Sequence, residues 1–229
     1  MKTLKQSTKA TVLWTGGKDS ALALYEAVLS GYEILNLVTF IPDGADFLAH
    51  PVSFMEIQAQ ALGFPHRTIK VSEPFRESYE KAIYSIKEEY GIGILISGDI
   101  SQVDGYPNWI RECSRPSGVE VLTPLWEQDR LGLLSRLLMH RFQVIFSGVK
   151  MPWFTEDWLG QEISGSSIEG LCTLGQEKGL DLCGEQGEYH TLVLDGPPFK
   201  KKIVINGFSK GVKDSMMYMD IQNVMLCSK

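Results

Sequence analysis

Short apolar segments alternate with longer amphipathic segments through the first half of the chain. The apolar segments predict β-strands near residues 11–14, 34–40, 67–71, 92–97 and 119–122. The segments between them have the length and the spacing of helices, near residues 20–30, 52–62, 75–90 and 106–116. Strands separated by helices of this length predict an α/β fold, in which a parallel sheet is covered on both faces.

The pattern changes after about residue 122. The remaining chain predicts helices near residues 128–140 and 166–178. Its strands are predicted near residues 142–147, 191–194, 202–206 and 216–227, with glycine and proline between them. We therefore predict two domains, residues 1–122 with the parallel sheet and residues 123–229 with a smaller α+β fold.

The most informative segment lies where the first strand meets the first helix. Residues 15–20 read Thr-Gly-Gly-Lys-Asp-Ser. Two adjacent glycines let successive backbone N–H groups converge on one point, and the N-terminus of a helix favours an anion. Lys18 adds a charge and Thr15 a hydroxyl, while Ser20 or Asp19 can cap the helix. The segment suits a phosphate chain; a tight connection without a ligand is the alternative, and the G-x-x-x-x-G-K-[ST] pattern is absent.

A second polar segment precedes the last strands. Glu185, Glu188 and His190 stand close together between Gly184 and Thr191. Acidic acceptors beside an imidazole could hold an ammonium ion or position a base. The composition is equally compatible with polar side chains that only decorate a hairpin.

Composition limits the class of protein and its partners. The chain has 229 residues, of which 44% are hydrophobic and 22% charged, as in soluble globular proteins. No apolar run approaches the roughly 20 residues of a membrane helix, and a cytoplasmic protein is expected. A net charge of −6 gives no support for a nucleic-acid partner. The four cysteines form no C-x-x-C pair, so neither a zinc site nor a disulfide framework is expected.

Residues 15–20 resemble the S-G-G-x-D-S loop of the ATP pyrophosphatases, with threonine in place of serine. Together with residues 184–191, Gly-Glu-Gln-Gly-Glu-Tyr-His-Thr, they are similar to the diphthine–ammonia ligase family. Further similar segments are found at residues 58–65, 98–100, 122–126 and 158–160. The chain departs from this family at Gln186, where glycine is common, and at His190, where many members have an acidic residue.

The resemblance implies an ATP-binding PP-loop domain of the type shared by adenylating enzymes over residues 1–122, and a substrate-binding α+β domain over residues 123–229. It implies an ATP-dependent amide-forming ligase that adenylates a carboxylate, releases pyrophosphate, and transfers ammonia with release of AMP. ATP, Mg²⁺, ammonia and a carboxylate substrate are the expected ligands. A modified histidine on an elongation factor is one candidate for that substrate, and a homodimer is a further candidate partner.

The same resemblance assigns roles to individual residues. The phosphates are expected to bind the backbone of Gly16, Gly17 and Lys18 and the hydroxyls of Thr15 and Ser20. Asp19 is expected to orient Mg²⁺, and Lys18 to offset charge on the bridging oxygen.

The remaining roles fall on other segments. Thr39, at the end of the second strand, is expected near adenine, and Asp99 follows a buried strand at the same sheet edge. Glu185, Glu188 and His190 are candidates for ammonia capture or carboxylate positioning.

Three alternatives remain open from the sequence. An RNA-thiolation enzyme uses the same loop as residues 15–20, the glycine loop, although such enzymes commonly need a cysteine pair or an RNA-binding module. The second alternative is not an enzyme but an ATP-sensing module, which binds ATP without turnover and acts on a protein partner. An electron-transfer flavoprotein-like domain would share the sheet but not the loop. His50, in a loop beside the predicted nucleotide edge, is equally compatible with a ligand contact and with a generic loop histidine.

Overall fold

A computed structural model describes residues 8–102 and 108–229. Five parallel strands form the first sheet, in the order β3-β2-β1-β4-β5. Their bounds are β1 Lys9–Leu13, β2 Glu33–Pro42, β3 His66–Val71, β4 Ile94–Ile96 and β5 Glu120–Leu122. Each predicted strand of the first half is thus confirmed, and the predicted α/β class with it.

Helices connect these strands as the amphipathic pattern predicts. They are α1 Lys18–Leu29, α2 Val52–Leu62, α3 Phe75–Tyr90 and α4 Trp109–Ser114, the last followed by a 3₁₀ turn at Arg115–Ser117. The predicted start of the fourth helix at residue 106 lies outside the described residues. The predicted cap of α1 is wrong, because the N-cap is Gly17 and no side chain caps it. Ser20 lies in the first helical turn, where its hydroxyl donates to Gly17 O.

The second half forms an antiparallel sheet in the order β7-β6-β9-β8. Its elements are α5 Arg130–Met139, β6 Gln143–Lys150, a 3₁₀ turn at Glu156–Trp158, α6 Gly165–Lys178, β7 Tyr189–Asp195, β8 Lys201–Lys213 and β9 Met216–Ser228. The predicted strand near 202–206 continues to residue 213. The strand pattern is interrupted in the sequence by Gly207 and Gly211, but pairing with β9 carries β8 through a register shift at Gly207.

Two apolar clusters cover the two faces of the parallel sheet. One lies between this sheet and helices α3 and α4, and includes Val38, Ile83 and Leu95. The other is continuous from the parallel sheet into the second half, and includes Val12 of β1 and Phe146 of β6. The change from parallel to antiparallel pairing falls between β5 and β6, while a domain boundary at residue 122 stays a prediction. No helix of the described residues is long and apolar enough to cross a membrane.

A buried glutamine joins the two halves beside the glycine loop. Gln58 of α2 is fully buried, and its Nε2 donates to Gly16 O and to Val193 O of β7, both at 2.8 Å. Its Oε1 accepts from the indole N–H of Trp14 at 3.2 Å. One side chain therefore ties the end of β1, the glycine loop and the second sheet together.

We predict that Gln58→Leu lowers the free energy of unfolding by about 1–3 kcal/mol, because the buried indole N–H of Trp14 loses its acceptor. Leucine and glutamine have similar helix propensities, so α2 itself is not weakened. Urea unfolding measures the change, and Gln60→Leu on the exposed side of the same helix is the matched control. That control should change the free energy by no more than about 0.5 kcal/mol. Equal losses in the two variants would contradict the assigned role.

Candidate functional site

The site lies where β1, β2 and β4 end side by side. Leu13 is paired with Val38, and Val12 with Ile96, so the residues that follow these strands meet at one edge of the sheet. They are the glycine loop after β1, the end of β2 from residue 39, and residues 97–99 after β4.

The backbone of the glycine loop is docked on strand β7. Gly16 has φ of +78°, and its carbonyl accepts from Val193 N at 3.1 Å. A Cβ atom at Gly16 would lie 2.5 Å from Gln58 Oε1, so glycine is required there on both counts. Lys18 N donates to Thr191 Oγ1 at 3.1 Å. Of the three N–H groups expected to bind phosphate, that of Lys18 is thus already bonded within the protein.

Gly98 permits a second close approach. A Cβ atom there would lie 2.7 Å from both Asp19 C and Ser20 N, so the end of β4 packs directly on the first turn of α1. Asp99 follows, and its carboxylate accepts a hydrogen bond from the side-chain amide of Asn108, the N-cap of α4. These contacts bring Asp19, Ser20 and Asp99 to one place.

A cleft of about 340 Å³ opens at this edge. Six residues with a predicted role are on its walls: Thr15, Asp19, Ser20, Thr39, Asp99 and Glu185. Glu185 comes from the second half of the molecule, and Phe40, Phe47 and Tyr79 add apolar surface. Its volume is within the range of small-molecule sites in proteins. The structure therefore brings most of the predicted nucleotide and catalytic residues around one cavity.

Lys18 has a different surrounding from the one expected. Its side chain is only 4% exposed, and its Nζ contacts Asp19 Oδ2 at 2.7 Å and Cys183 O at 2.5 Å. Burial is the largest effect and lowers the pKa of Lys18, but the negative charge of Asp19, its hydrogen bond and the neighbouring Tyr189 and Cys183 together outweigh burial, and the pKa is raised. The ammonium group is thus charged and held between the loop and residues 181–188, and it is not on the cleft wall.

Glu185 and Glu188, three residues apart, differ in environment. Burial and the charge of Asp19 raise the pKa of Glu185, Lys18 and Arg130 oppose the shift, and the resulting pKa is about 7. Glu188 is 2% exposed, and its two carboxylate oxygens accept from Asp181 N and Gln186 N, both at 2.9 Å. Glu185 is therefore on the cleft wall, whereas Glu188 holds the loop that carries it.

A second cavity of about 590 Å³ adjoins the cleft. The side chains of Phe40, Phe47 and Tyr79 line both. His50 and His190 lie in the second cavity, with their ring centroids 5.0 Å apart. The structure thus places His190 in a different cavity from Glu185.

Both imidazoles of this cavity are neutral at neutral pH. Burial and the neighbouring His190 together lower the pKa of His50 to about 3. Burial, with the charges of Lys18 and Lys150, lowers the pKa of His190 to about 4. Since a carbonyl oxygen can only accept, the contact of 3.0 Å between His50 Nε2 and Thr191 O places the proton of His50 on Nε2.

Most residues that line the second cavity could not be predicted from the sequence. Leu48 and Met216 supply apolar surface, Lys213 is the last residue of β8, and Asp214 lies in the turn between β8 and β9. Lys213 forms an ion pair with Asp46, which ties this hairpin to the loop after β2. Residues 47–49, Phe-Leu-Ala, directly precede His50 in the sequence, whereas the other lining residues are far apart along the chain.

Comparison with known proteins covers both halves of the chain. The model of the diphthamide synthase N-terminal domain matches residues 8–121, and that of the diphthamide synthase C-terminal domain matches residues 130–227.

Individual relatives agree with the family match. A diphthine–ammonia ligase of Danio rerio is 28% identical over 222 residues, covering 85% of this chain and 85% of its own length. A diphthine–ammonia ligase of Homo sapiens is 26% identical over 227 residues, covering 86% and 83%. A solved structure, described as a predicted subunit of tRNA methyltransferase from Methanocaldococcus jannaschii, is 20% identical over 83% of this chain and 98% of its own, with a TM-score of 0.46.

We predict that Glu185 titrates near pH 7 and that its neighbours set this value. Asp19→Asn should lower the pKa of Glu185, and Lys18→Met should raise it, because these are the nearest opposing charges. Carboxyl ¹³C NMR measures the titration, with Asp220→Asn on the exposed hairpin as the control that leaves it unchanged. A pKa of Glu185 near the ordinary 4.5 would contradict the assigned environment.

The same shift predicts a pH dependence of stability. Glu185 loses its proton near pH 4.5 when the chain is unfolded and near pH 7 when it is folded. Between these values the folded state binds the extra proton, so the contribution of Glu185 to stability falls as the pH rises through that window. Glu185→Gln should therefore gain stability relative to the parent between pH 4.5 and 7, measured by urea unfolding. A difference that is constant with pH would contradict the prediction.

Proposed function

Because the chain belongs to the diphthamide synthase family in both of its halves, we propose that it is an ATP-dependent ligase. It adenylates a carboxylate, releases pyrophosphate, and transfers ammonia to give an amide and AMP. The relatives named diphthine–ammonia ligase support this class of reaction at 25–28% identity.

One observation carries the proposal: the glycine loop and Glu185 face the same cleft from opposite halves of the molecule. The loop carries the hydroxyls of Thr15 and Ser20 at the N-terminus of α1. Thr15 Oγ1 donates to Ser20 Oγ at 3.2 Å and Ser20 Oγ donates to Gly17 O, so each hydroxyl would have to turn from its present acceptor to a phosphate oxygen. Hydroxyls at a helix N-terminus are suited to phosphate oxygens. Glu185 adds a group able to accept a proton near neutral pH.

The donor set of the cleft fits ATP with Mg²⁺. Magnesium bound to a nucleotide takes one or two protein carboxylates besides phosphate oxygens and water. Asp19 is the proposed ligand, and Glu185 and Asp99 lie on the same walls. When bound, the ion would neutralise phosphate charge in the cleft.

The other end of the cleft is proposed for the adenine ring. Thr39 hydroxyl donates to Trp14 O at 2.6 Å and also contacts His66 Nε2 at 2.8 Å, so this side chain is already bonded within the protein. We therefore propose that adenine meets the backbone at the end of β2 and the apolar surface of Phe40, and not the Thr39 hydroxyl.

The two-step reaction explains why ATP is consumed. A carboxylate is a poor electrophile because its leaving group would be oxide, whereas AMP is a good leaving group. Attack by ammonia then requires that a proton be removed from the attacking nitrogen. Glu185 is the proposed acceptor, since its pKa of about 7 leaves it partly ionised at neutral pH.

Lys18 and Glu188 are proposed to act on the cleft in different ways. For Lys18 to offset charge on the bridging oxygen, its ammonium would have to exchange Cys183 O for a phosphate oxygen. Glu188 is proposed as a positioning residue, because both of its oxygens bind the backbone of the segment that holds Glu185.

Two alternative functions remain distinguishable. Thiolation of RNA through a cysteine nucleophile is disfavoured, because burial raises the pKa of Cys183 to about 12 and that of Cys113 to about 11. An ATP-sensing module would bind nucleotide without producing AMP. The proton acceptor on the cleft wall favours turnover over sensing.

The finer assignments rest on the sequence and the names of the relatives. A modified histidine on an elongation factor is proposed as one candidate substrate, and cytoplasmic location and a homodimer are proposed with it. His190 replaces the acidic residue of many family members and lies in the second cavity, so this difference is proposed to affect the choice of substrate more than the use of ATP.

We predict that the protein converts α-labelled ATP to AMP in the presence of Mg²⁺, ammonium and a metabolite extract that contains the acid. Gly17→Val should lower ATP affinity by about tenfold or more, equal to about 1.4 kcal/mol. A Cβ atom at Gly17 lies 3.4 Å from Thr191 O and 3.6 Å from His50 Nε2, so the valine methyls would push the loop off β7.

Gly17→Ala is the matched control for this experiment. Its Cβ atom fits at ordinary contact distance, and φ of −84° is open to alanine. It should therefore bind ATP within about threefold of the parent, less than 1 kcal/mol. Formation of ADP in place of AMP would overturn the proposed reaction, and ATP binding without any turnover would favour the sensing module.

A further inference from the structure

The second cavity is built on the same contacts that hold the glycine loop. His50 donates to Thr191 O, and Thr191 Oγ1 accepts from Lys18 N. The position of a Cβ atom on Gly17 is 3.6 Å from His50 Nε2. The floor of the cavity thus lies directly beside the loop proposed to hold the phosphates, although the loop itself lines the other cavity.

A close approach of three segments forms this floor. A Cβ atom at Gly148 of β6 would lie 2.6 Å from Ala49 Cβ, 3.3 Å from Met216 Sδ and 3.4 Å from His190 Cδ2. Only the missing side chain at Gly148 lets the loop after β2, the hairpin and β7 converge. The cavity is therefore a constructed feature of the fold and not a gap between loosely packed elements.

The cleft and the second cavity share one wall. Phe40, Phe47 and Tyr79 separate the cleft from the second cavity, and each side chain contributes to both. A molecule in the second cavity and a molecule in the cleft would therefore contact the same three side chains from opposite sides. The cleft has about 340 Å³, and the second cavity supplies a further 590 Å³ for another reactant.

The lining defines what that reactant can be. Phe47, Leu48 and Met216 offer apolar surface to a hydrocarbon stem. Of the two carboxylates in the lining, Asp46 is paired with Lys213, and Asp214 is exposed to solvent in the turn after β8. His190 and His50 are the polar groups at the floor, and neither carries a charge at neutral pH. A neutral imidazole offers an N–H to an anion, whereas a carboxylate side chain in its place would repel one.

We propose that the second cavity is the seat of the acid to be adenylated, that this acid has an apolar stem, and that His190 selects for its negative charge by donating an N–H bond. The inference rests on the proposed function for its chemistry. The existence of an anion-selective seat at His190 can nevertheless be tested without turnover.

The test uses three probes with one stem: 4-phenylbutanoate, 4-phenylbutan-1-ol and 4-phenylbutan-1-amine, with acetate as the acid that lacks the stem. Binding to the full chain is followed by the imidazole ¹⁵N–¹H resonances of His190. We expect 4-phenylbutanoate to shift these resonances saturably, with an affinity at least about tenfold above those of the amine and of acetate. Equal or tighter binding of the amine would overturn the proposal, and so would binding of 4-phenylbutanoate that leaves the resonances of His190 unchanged.

Variants at position 190 separate charge from shape. His190→Glu should weaken binding of 4-phenylbutanoate by about tenfold or more, and His190→Asn, which keeps an uncharged N–H donor, by no more than about threefold. Asn223→Glu, on the exposed face of β9, adds the same charge away from the cavity and should leave the affinity unchanged. If His190→Glu fails to fold, His190→Leu, which removes the donor without adding charge, replaces it and should also lose about tenfold.

The outcome is independent of the nucleotide experiment. Loss of ATP conversion with intact selectivity for the acid would overturn the proposed function and leave the seat in place. ATP conversion without selectivity for the acid, or with equal affinity in the parent and His190→Glu, would overturn the seat alone.

Discussion

The backbone of the glycine loop is held by a strand of the other half of the molecule, and the rest of the site depends on this docking. Gly16 and Lys18 are bonded to Val193 and Thr191 of β7, the latter pair 173 residues apart in the chain. A buried backbone group without a partner costs about 1–3 kcal/mol. The loop therefore reaches this geometry only when β7 is in place, and the cleft proposed for the nucleotide is a property of both halves.

Lys18 links the glycine loop in a similar way to residues 181–188, the segment that follows α6. Burying an ammonium group is costly unless it is paired and hydrogen-bonded, and here Asp19 and Cys183 O supply both interactions. The residue directly after the two glycines thus fixes the start of the loop that carries Glu185. Arg130 forms an ion pair with Asp181 in the same segment. Any movement of the glycine loop is consequently transmitted to the proposed proton acceptor.

Much of this arrangement could be predicted from the sequence, because its signals are local. The apolar periodicity located the strands and helices, and the rule that ligands bind at the carboxyl ends of parallel strands brought Asp99 to the cleft. The direction of the Lys18 side chain was not predictable, since residue type does not say whether a charge meets solvent or a carbonyl 165 residues away. The second cavity was missed for a similar reason: Phe40, Tyr79 and Met216 become neighbours only through the tertiary fold.

Burial has opposite chemical consequences in the two cavities, although in both it favours the uncharged form. It raises the pKa of Glu185 to about 7, which leaves a group that can both hold and release a proton near neutral pH. It lowers the pKa of His50 to about 3 and that of His190 to about 4, so both imidazoles stay uncharged near neutral pH. An acid attacks phosphorus as its carboxylate, so a pocket able to protonate it would inactivate it. Imidazoles of such low pKa offer N–H bonds without giving up a proton to the substrate.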